Sequence, residues 1–124
     1  MHIENAPKVE EIIYEDTVIN FCPIGNSLYR NNLTITIHPD KALPDYIEVH
    51  KEIRELEGKS LIIEEVVDLV LDIIKRYNPY RAKVTTIVDD ANHPKVTISK
   101  TYARPIGITL KGCNCEKESC KSSF

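Results

Sequence analysis

The order in which two kinds of hydrophobic periodicity follow each other constrains the fold of this chain more than any other feature. Residues 32–38 alternate strictly between polar and apolar side chains, which is typical of a half-buried strand, and residues 17–21 also have extended character. Two helical patterns come next, and the strand-like segments 82–88 and 95–100 follow them. Strands grouped apart from helices predict an α+β fold, in which an antiparallel sheet is covered on one face.

The two helical patterns are adjacent in the middle of the chain. The first has apolar residues at spacings of three and four, and we expect it to begin near Asp45 and to end near Gly58. The second is expected over about 61–77, with Ser60 as its N-cap. Because its apolar arc is wide, the second helix is predicted to pack against the sheet on one side and against a neighbour on another.

Length and charge exclude several classes of protein. The 124 residues suit one domain, which we expect over residues 1–110, followed by a loose, polar, cysteine-containing tail over 111–124. The apolar stretches fall short of the roughly 20 residues of a membrane span, and the first residues lack a secretory signal, so we expect a cytoplasmic protein without a membrane partner. With 16 basic and 19 acidic residues, a broad surface for nonspecific nucleic-acid binding is not expected. A nucleic-acid substrate held by a few local contacts stays possible.

Three of the four cysteines cluster in the tail. One residue separates the first two cysteines, and four residues separate the second from the third. Zinc sites commonly have two residues between paired cysteines and four ligands in total, so both the spacing and the number of ligands differ here. We therefore predict a reduced tail without a metal, and we keep a metal-organised interaction protein as an alternative. The three residues are Cys113, Cys115 and Cys120.

The fourth cysteine stands alone where an extended segment meets a turn. Cys22 follows Phe21 and precedes Pro23 and Gly25, which together favour a tight bend. A lone cysteine beside apolar residues is commonly a small buried hydrophobe. A bend that lifts the thiol out of the sheet edge makes it a candidate nucleophile instead.

The segment around Cys22 resembles a known family. Residues 21–24, with the sequence FCPI, are followed by a turn and an alternating strand, as in the nucleophile segment of the tunnelling-fold nitrile enzymes. These are the 7-cyano-7-deazaguanine reductases of queuosine biosynthesis and their shorter relatives, the QueF-like archaeosine synthases. The resemblance covers about residues 17–100, and the spacing from residues 58–60 (GKS) to Glu64 and Glu65 is closer to the short relatives. It implies a tunnelling fold that forms homo-oligomeric rings, with the sheets joined as a barrel and the active sites between subunits.

The resemblance also implies a reaction. Cys22 is the nucleophile that adds to the nitrile of 7-cyano-7-deazaguanine and forms a covalent thioimidate, with the base within tRNA or another nucleic acid. Glu64, or failing that Glu65, accepts hydrogen bonds from the 2-amino and ring N–H groups of the base, and Ser60 belongs to the same substrate-binding set. Ammonia as co-substrate then gives the amidine, and no bound cofactor or metal is expected.

Two departures from the family pattern bear on this reaction. The segment that the reductases use for NADPH lacks its second lysine and its aromatic residue here, and Ile63 replaces the histidine before the anchoring glutamate. NADPH-dependent reduction is therefore an alternative, with NADPH as cofactor in that case alone. Tyr29 stands where the family has a proton-donating aspartate, so Tyr29 is the candidate donor, and Arg30 or a residue of another subunit is the alternative.

Further alternatives are hydration of the nitrile to the amide and a catalytically silent module that binds the deazaguanine. The pterin synthases of the same fold use histidines to bind zinc, and the histidines here have no compact ligand spacing. Isolated histidines are commonly surface or turn residues; here they are His2, His38, His50 and His93.

Nitrile chemistry would be excluded if the sulfur of Cys22 were buried among aliphatic side chains with no opening beside it.

Overall fold

A computed structural model describes residues 9–91 and 93–105 of the chain. Its four strands form one antiparallel sheet in the order β1-β2-β3-β4, and the two helices lie between β2 and β3 in sequence. This confirms the predicted α+β class and element order. The expected domain limit near residue 110 and the tail with its three cysteines lie outside the described residues. The elements are β1 (Ile12–Cys22), β2 (Ser27–His38), α1 (Tyr46–Arg54), α2 (Ile63–Lys75), β3 (Arg81–Val88) and β4 (Val96–Ala103).

The core lies between the sheet and the helices. Alternate residues of the strands face the helical layer, so Leu33, Ile35 and Ile37 of β2 join one apolar cluster with the buried side of α2. Six residues of α2 are buried, and this helix contacts both the sheet and α1, as its wide apolar arc predicts. Neither helix in the described part of the chain is long and apolar enough to cross a membrane.

Strand β1 is longer than the sequence suggested. It starts at Ile12 and pairs with β2 along its whole length, from Ile12 opposite Ile37 to Cys22 opposite Ser27. The extra residues include Asp16, whose face of the strand points toward the helices. The carboxylate of Asp16 is held there by the Tyr14 hydroxyl at 2.9 Å and by Nδ1 of His50 at 2.7 Å.

The two helices begin differently. Helix α1 begins near Asp45, as predicted, and Asp45 is its N-cap, because its carboxylate accepts hydrogen bonds from the backbone N–H groups of Ile47 and Glu48. The N-cap of α2 is Ile62, so the prediction that Ser60 caps this helix is wrong. Ser60 instead forms a parallel bridge with Phe21 of β1.

The linker between the helices runs along the outer edge of β1. Gly58 N donates to Ile19 O at 2.8 Å, Phe21 N donates to Lys59 O at 3.0 Å, and Leu61 N donates to Phe21 O at 3.0 Å. The open edge of β1 needs such partners because unpaired backbone groups there are costly when they are removed from water. Since this pairing occupies the chain as far as Leu61, α2 cannot start at Ser60.

A chain of buried polar side chains crosses the sheet beside the linker. The hydroxyl of Thr86 donates to Oδ1 of Asn31 at 2.9 Å, and Nδ2 of Asn31 donates to Oδ1 of Asn20 at 3.0 Å. Nδ2 of Asn20 then donates to Leu56 O at 2.7 Å, in the segment that follows α1. All three side chains are fully buried, so the chain ties β3, β2 and β1 to the helical layer through satisfied hydrogen bonds.

Candidate functional site

A cleft of about 300 Å³ opens at one end of the sheet. Three segments meet there, namely the turn between β1 and β2, the start of α2, and the loop between β3 and β4. This volume is at the lower end of the range found for small-molecule sites in proteins. Its lining includes Cys22, Ser27, Leu28, Tyr29, Ile63, Asp90 and His93, whereas neither Glu64 nor Glu65 is part of it.

Cys22 is the last residue of β1, and its thiol lies at this cleft. The residue is half-buried and is a free cysteine in the part of the chain that the structure describes. Its sulfur accepts a hydrogen bond from Gly25 N at 3.3 Å, and its carbonyl accepts one from Asn26 N at 2.7 Å across the turn. An N–H group aimed at the sulfur stabilises negative charge on it. The sulfur therefore has an opening and polar neighbours, and the arrangement that would exclude nitrile chemistry is not present.

Tyr29 shares the sheet face of Cys22. It pairs with Asn20, two residues before Cys22 on β1, so Tyr29 and Cys22 are diagonal neighbours. The Tyr29 side chain is only 5 % exposed, and its hydroxyl donates to Leu61 O at 2.5 Å. This bond engages the phenol proton with the linker and favours a positioning role for Tyr29 over proton donation to a substrate.

Burial raises the pKa of Tyr29 to about 12. A hydrogen bond from Asn31 acts in the opposite direction, while the negative charges of Cys22, Glu65 and Glu64 raise the pKa further. The phenol is thus neutral throughout the physiological range. The effect of these charges also shows that both glutamates lie within electrostatic reach of Tyr29.

The two glutamates occupy the first turn of α2, and they differ in what they contact. Oε1 of Glu65 accepts a hydrogen bond from Ile62 N at 3.0 Å, which is one half of a capping box. Glu64 is exposed, and within residues 9–91 and 93–105 its carboxylate has no hydrogen-bond or ion-pair partner. Of the two candidates, Glu64 has the carboxylate that is available to a ligand. Ser60 lies on the linker, bridged to Phe21.

The loop between β3 and β4 supplies two cleft residues that the sequence did not point to. Oδ2 of Asp90 accepts a hydrogen bond from Arg30 N at 2.9 Å, which fixes the loop to the start of β2. The backbone N–H of His93 donates to Asp90 O at 3.1 Å, and its ring Nδ1 is 2.6 Å from Pro94 O. Turn-rich composition was the single sequence signal in this segment, and it does not say which strand end the loop will approach.

Metal-binding groups do not converge in the described ranges. No three side chains of the types His, Cys, Asp and Glu come together there in a way that could hold an ion. Cys113, Cys115 and Cys120, which the metal-binding alternative requires, lie outside these ranges.

Comparisons with known proteins give a match at the level of structure. No protein-family model matches the chain, and no curated protein matches its sequence. The structure is similar to the apo form of the archaeosine synthase QueF-Like, with a TM-score of 0.70 and 19% identity over 77% of this chain and 95% of that one. It is also similar to a protein assigned as the dihydroneopterin aldolase FolB of Vibrio cholerae O1 biovar El Tor, with a TM-score of 0.61 and 19% identity over 76% and 97% of the two chains.

These similarities settle the fold. The four-stranded antiparallel sheet with two helices is the tunnelling fold, as the resemblance of the segment around Cys22 implied. Both neighbours are named as enzymes, and one of them is named for archaeosine synthesis. At 19% identity the similarity carries the fold and not the reaction.

Proposed function

We propose that this protein converts the nitrile of 7-cyano-7-deazaguanine to an amidine, through a covalent thioimidate on Cys22 and with ammonia as the second substrate. The observation that carries this proposal is the free thiol at the end of β1, which lies at a cleft of about 300 Å³ beside polar groups. The similarity in fold to an archaeosine synthase supports the choice of substrate. A nitrile carbon is weakly electrophilic, and a positioned thiolate is a suitable nucleophile for it.

The reaction needs no change of oxidation state. The thiolate of Cys22 adds to the nitrile carbon, one C–N π bond breaks, and the nitrogen takes a proton to give the thioimidate. Ammonia then adds to the same carbon and loses one proton, which returns the proton taken up in the first step, and the C–S bond breaks to release the amidine and restore the thiolate. Atoms and charge balance with ammonia alone, so this route uses neither NADPH nor another redox cofactor.

Glu64 is the proposed anchor for the base. A carboxylate accepts two hydrogen bonds side by side, which suits the 2-amino group and the neighbouring ring N–H of a deazaguanine. Glu65 is already engaged with Ile62 N, whereas Glu64 has no partner among the described residues. The linker pairs with β1 as far as Leu61, and Ile63 at the start of α2 lines the same cleft as Cys22, so Glu64 directly follows a residue of the cleft.

The base is proposed to enter from tRNA or another nucleic acid, flipped out of its stack. Lys100 and Arg76 are paired with Asp68 and Glu52. On β3, in contrast, two basic side chains lie on the sheet face that carries no helices, namely Arg81 and Lys83. Neither has an ion-pair partner among residues 9–91 and 93–105. We therefore place the phosphate contacts on this open face of a homo-oligomer, with sites completed between subunits.

Intact-protein mass spectrometry with the nitrile base tests the proposal. Wild-type protein, incubated without ammonium, is expected to gain the mass of 7-cyano-7-deazaguanine at Cys22. Added ammonium should remove the adduct and release the amidine, while Cys22→Ala should give neither. The base is supplied free and within a tRNA, and failure of both forms to label reduced Cys22 would refute the proposal.

The same assay separates the other reactions. Consumption of the adduct by NADPH would assign a reductase, and release of an amide without ammonium would assign a hydratase. Binding of the base that depends on Glu64 but is unchanged in Cys22→Ala, with no turnover, would assign a silent binding module. Conversion of dihydroneopterin in place of the nitrile base would assign an aldolase, the activity for which the second structural neighbour is named.

A further inference from the structure

The β3–β4 loop forms one wall of the cleft and contributes an imidazole side chain to it. His93 lines the same cleft as Cys22 and is exposed to solvent. Addition of a thiol to a nitrile requires that the thiol lose a proton and that the nitrile nitrogen gain one, and a single acid–base group beside the sulfur can perform both transfers. Imidazole changes its protonation state near neutral pH, which suits a group that must both take and return a proton.

The contact of His93 with Pro94 fixes the tautomer of its ring. Nδ1 lies 2.6 Å from the carbonyl oxygen of Pro94, and a carbonyl oxygen can only accept a hydrogen bond. Nδ1 must therefore carry a proton. In the neutral ring this leaves the lone pair on Nε2, the nitrogen that the loop backbone does not use. The ring is thus held through Nδ1, and Nε2, which has no hydrogen-bond partner among residues 9–91 and 93–105, can act as a base.

Three other titratable groups lie in the cleft or, in the case of Glu65, just beyond its lining, and each makes a hydrogen bond with the backbone. The Tyr29 hydroxyl donates to Leu61 O, and Glu65 accepts from Ile62 N. Asp90 has one oxygen bonded to Arg30 N, in a contact that anchors the loop. His93 is the cleft residue whose side chain combines a free lone pair with the ability to carry the proton between two steps.

We propose that His93 is the proton-transfer residue for Cys22, with Asp90 positioning its loop. This inference rests on the proposed function and names a residue that carries part of it. Nε2 of His93 takes the proton from the thiol, and the resulting thiolate forms the C–S bond while one C–N π bond breaks. The imidazolium then gives its proton to the nitrile nitrogen, so the neutral thioimidate and neutral imidazole are restored together.

His93 is proposed to act again when ammonia attacks. Nε2 accepts a proton from the attacking nitrogen as the C–N bond forms, and the protonated ring stabilises the departing thiolate as the C–S bond breaks. The thiolate is then reprotonated by the ring. The products are the amidine, the free thiol and the neutral imidazole, and no oxidant or reductant is consumed.

The test compares the rate of adduct formation in wild-type protein, His93→Gln and His38→Gln, by mass spectrometry with 7-cyano-7-deazaguanine. His38 is a matched control because its Nδ1 also contacts a backbone carbonyl, Glu10 O at 3.1 Å, but it lies at the far end of β2. General acid–base catalysis commonly contributes at least about 100-fold, so we expect a fall of that size in His93→Gln and an unchanged rate in His38→Gln. Equal rates in all three proteins would overturn the inference while leaving the adduct, and hence the proposed function, in place.

Rescue distinguishes proton transfer from a structural role. In His93→Ala, added imidazole is expected to restore adduct formation in proportion to its concentration, which a protein damaged in its loop would not show. A second measurement follows alkylation of Cys22 by iodoacetamide at pH 7, read from the Cys22 peptide. Slower alkylation in His93→Gln than in wild type supports the pairing even if the nitrile base does not react. Alkylation at an unchanged rate, together with absent imidazole rescue, rejects it.

Discussion

At the scale of single residues, the two neighbouring glutamates of α2 have different roles: one stabilises the start of the helix, and the other is proposed to bind the base. Glu65 uses its carboxylate to accept the Ile62 N–H, and Glu64 leaves its own carboxylate free among the described residues. Glu64→Ala should therefore weaken binding of the deazaguanine base by about 10- to 100-fold, because a hydrogen-bonded charge is lost, and leave the free energy of unfolding unchanged.

Glu65→Ala is the matched variant with the opposite expectation. It should lower the free energy of unfolding by about 1 kcal/mol, since the N-cap loses its side-chain partner, while base binding is largely kept. Calorimetric titration with the base and urea unfolding measure the two effects. A loss of binding in Glu65→Ala that exceeds the loss in Glu64→Ala would reverse the assignment.

Tyr29 gives a prediction in alkaline solution. Its pKa is raised by burial to about 12, above the ordinary value of 10.0. The folded state therefore holds the phenol proton more tightly than the unfolded chain does, and this stabilisation is complete below pH 10 and is lost as the pH rises toward 12. Urea unfolding of wild type and Tyr29→Phe between pH 8 and 11 should show a steeper alkaline decline in wild type. Parallel pH curves would contradict the burial of the phenol.

At the scale of elements, the buried chain of Thr86, Asn31 and Asn20 connects three strands to the segment after α1. Asn31→Ala would leave the Thr86 hydroxyl and Oδ1 of Asn20 buried without their present partner. We expect it to lower the free energy of unfolding by about 3 kcal/mol. Asn32→Ala is the control because the Asn32 side chain makes one hydrogen bond within the described part of the chain, at the surface to Ile87 O, and its loss should cost about 0.5 kcal/mol. Equal losses in urea unfolding would mean that the chain is not a structural unit.

Sequence periodicity predicted these elements well wherever one side of a strand or helix is apolar. It predicted too short a β1 because the charged residue Asp16 interrupts the apolar pattern on the face of the strand that points toward the helices. Asp16 is accommodated there by hydrogen bonds with Tyr14 and with His50, and a hydrophobic pattern shows neither contact. It misplaced the start of α2 because the pairing of Ser60 with Phe21 is a tertiary contact that outweighs a good capping residue.

In the candidate site, too, the sequence predicted the residue marked by a local pattern and missed the residues that depend on a tertiary contact. Cys22 could be singled out from its turn and from the family resemblance, since both are local in sequence. The contributions of Asp90 and His93 depend on where the β3–β4 loop meets the first residues of β2, as in the bond from Arg30 N to Asp90. That contact spans sixty positions of the chain and has no periodic signature.

At the scale of the whole molecule, apolar side chains beside the cleft remain open to solvent. Ile24 in the turn after Cys22 is 82 % exposed, and Leu28 at the start of β2 is 66 % exposed. If sites are completed between subunits, as we propose, a second copy covers this end of the sheet. Ile24→Asp should then shift the assembly toward monomers in native mass spectrometry.

Ile47→Asp is the control for this assembly. Ile47 is 68 % exposed on α1, away from the cleft, and its replacement should leave the assembly mass unchanged. A wild-type protein that is monomeric at micromolar concentration would refute the oligomer. Equal dissociation of the two variants would show that the contact does not involve the turn after Cys22.

The pairing of the inter-helix linker with β1 has a consequence for how such a protein can diversify. An insertion or deletion between Gly58 and Leu61 would break the hydrogen bonds to Ile19 and Phe21 and displace the start of α2 relative to the sulfur. The opposite wall is a surface turn, where changes of length and composition leave that distance intact. New substrate shapes are therefore most easily accommodated at the other positions of the β3–β4 loop, with Asp90 and His93 kept, while the linker holds the start of α2 in place.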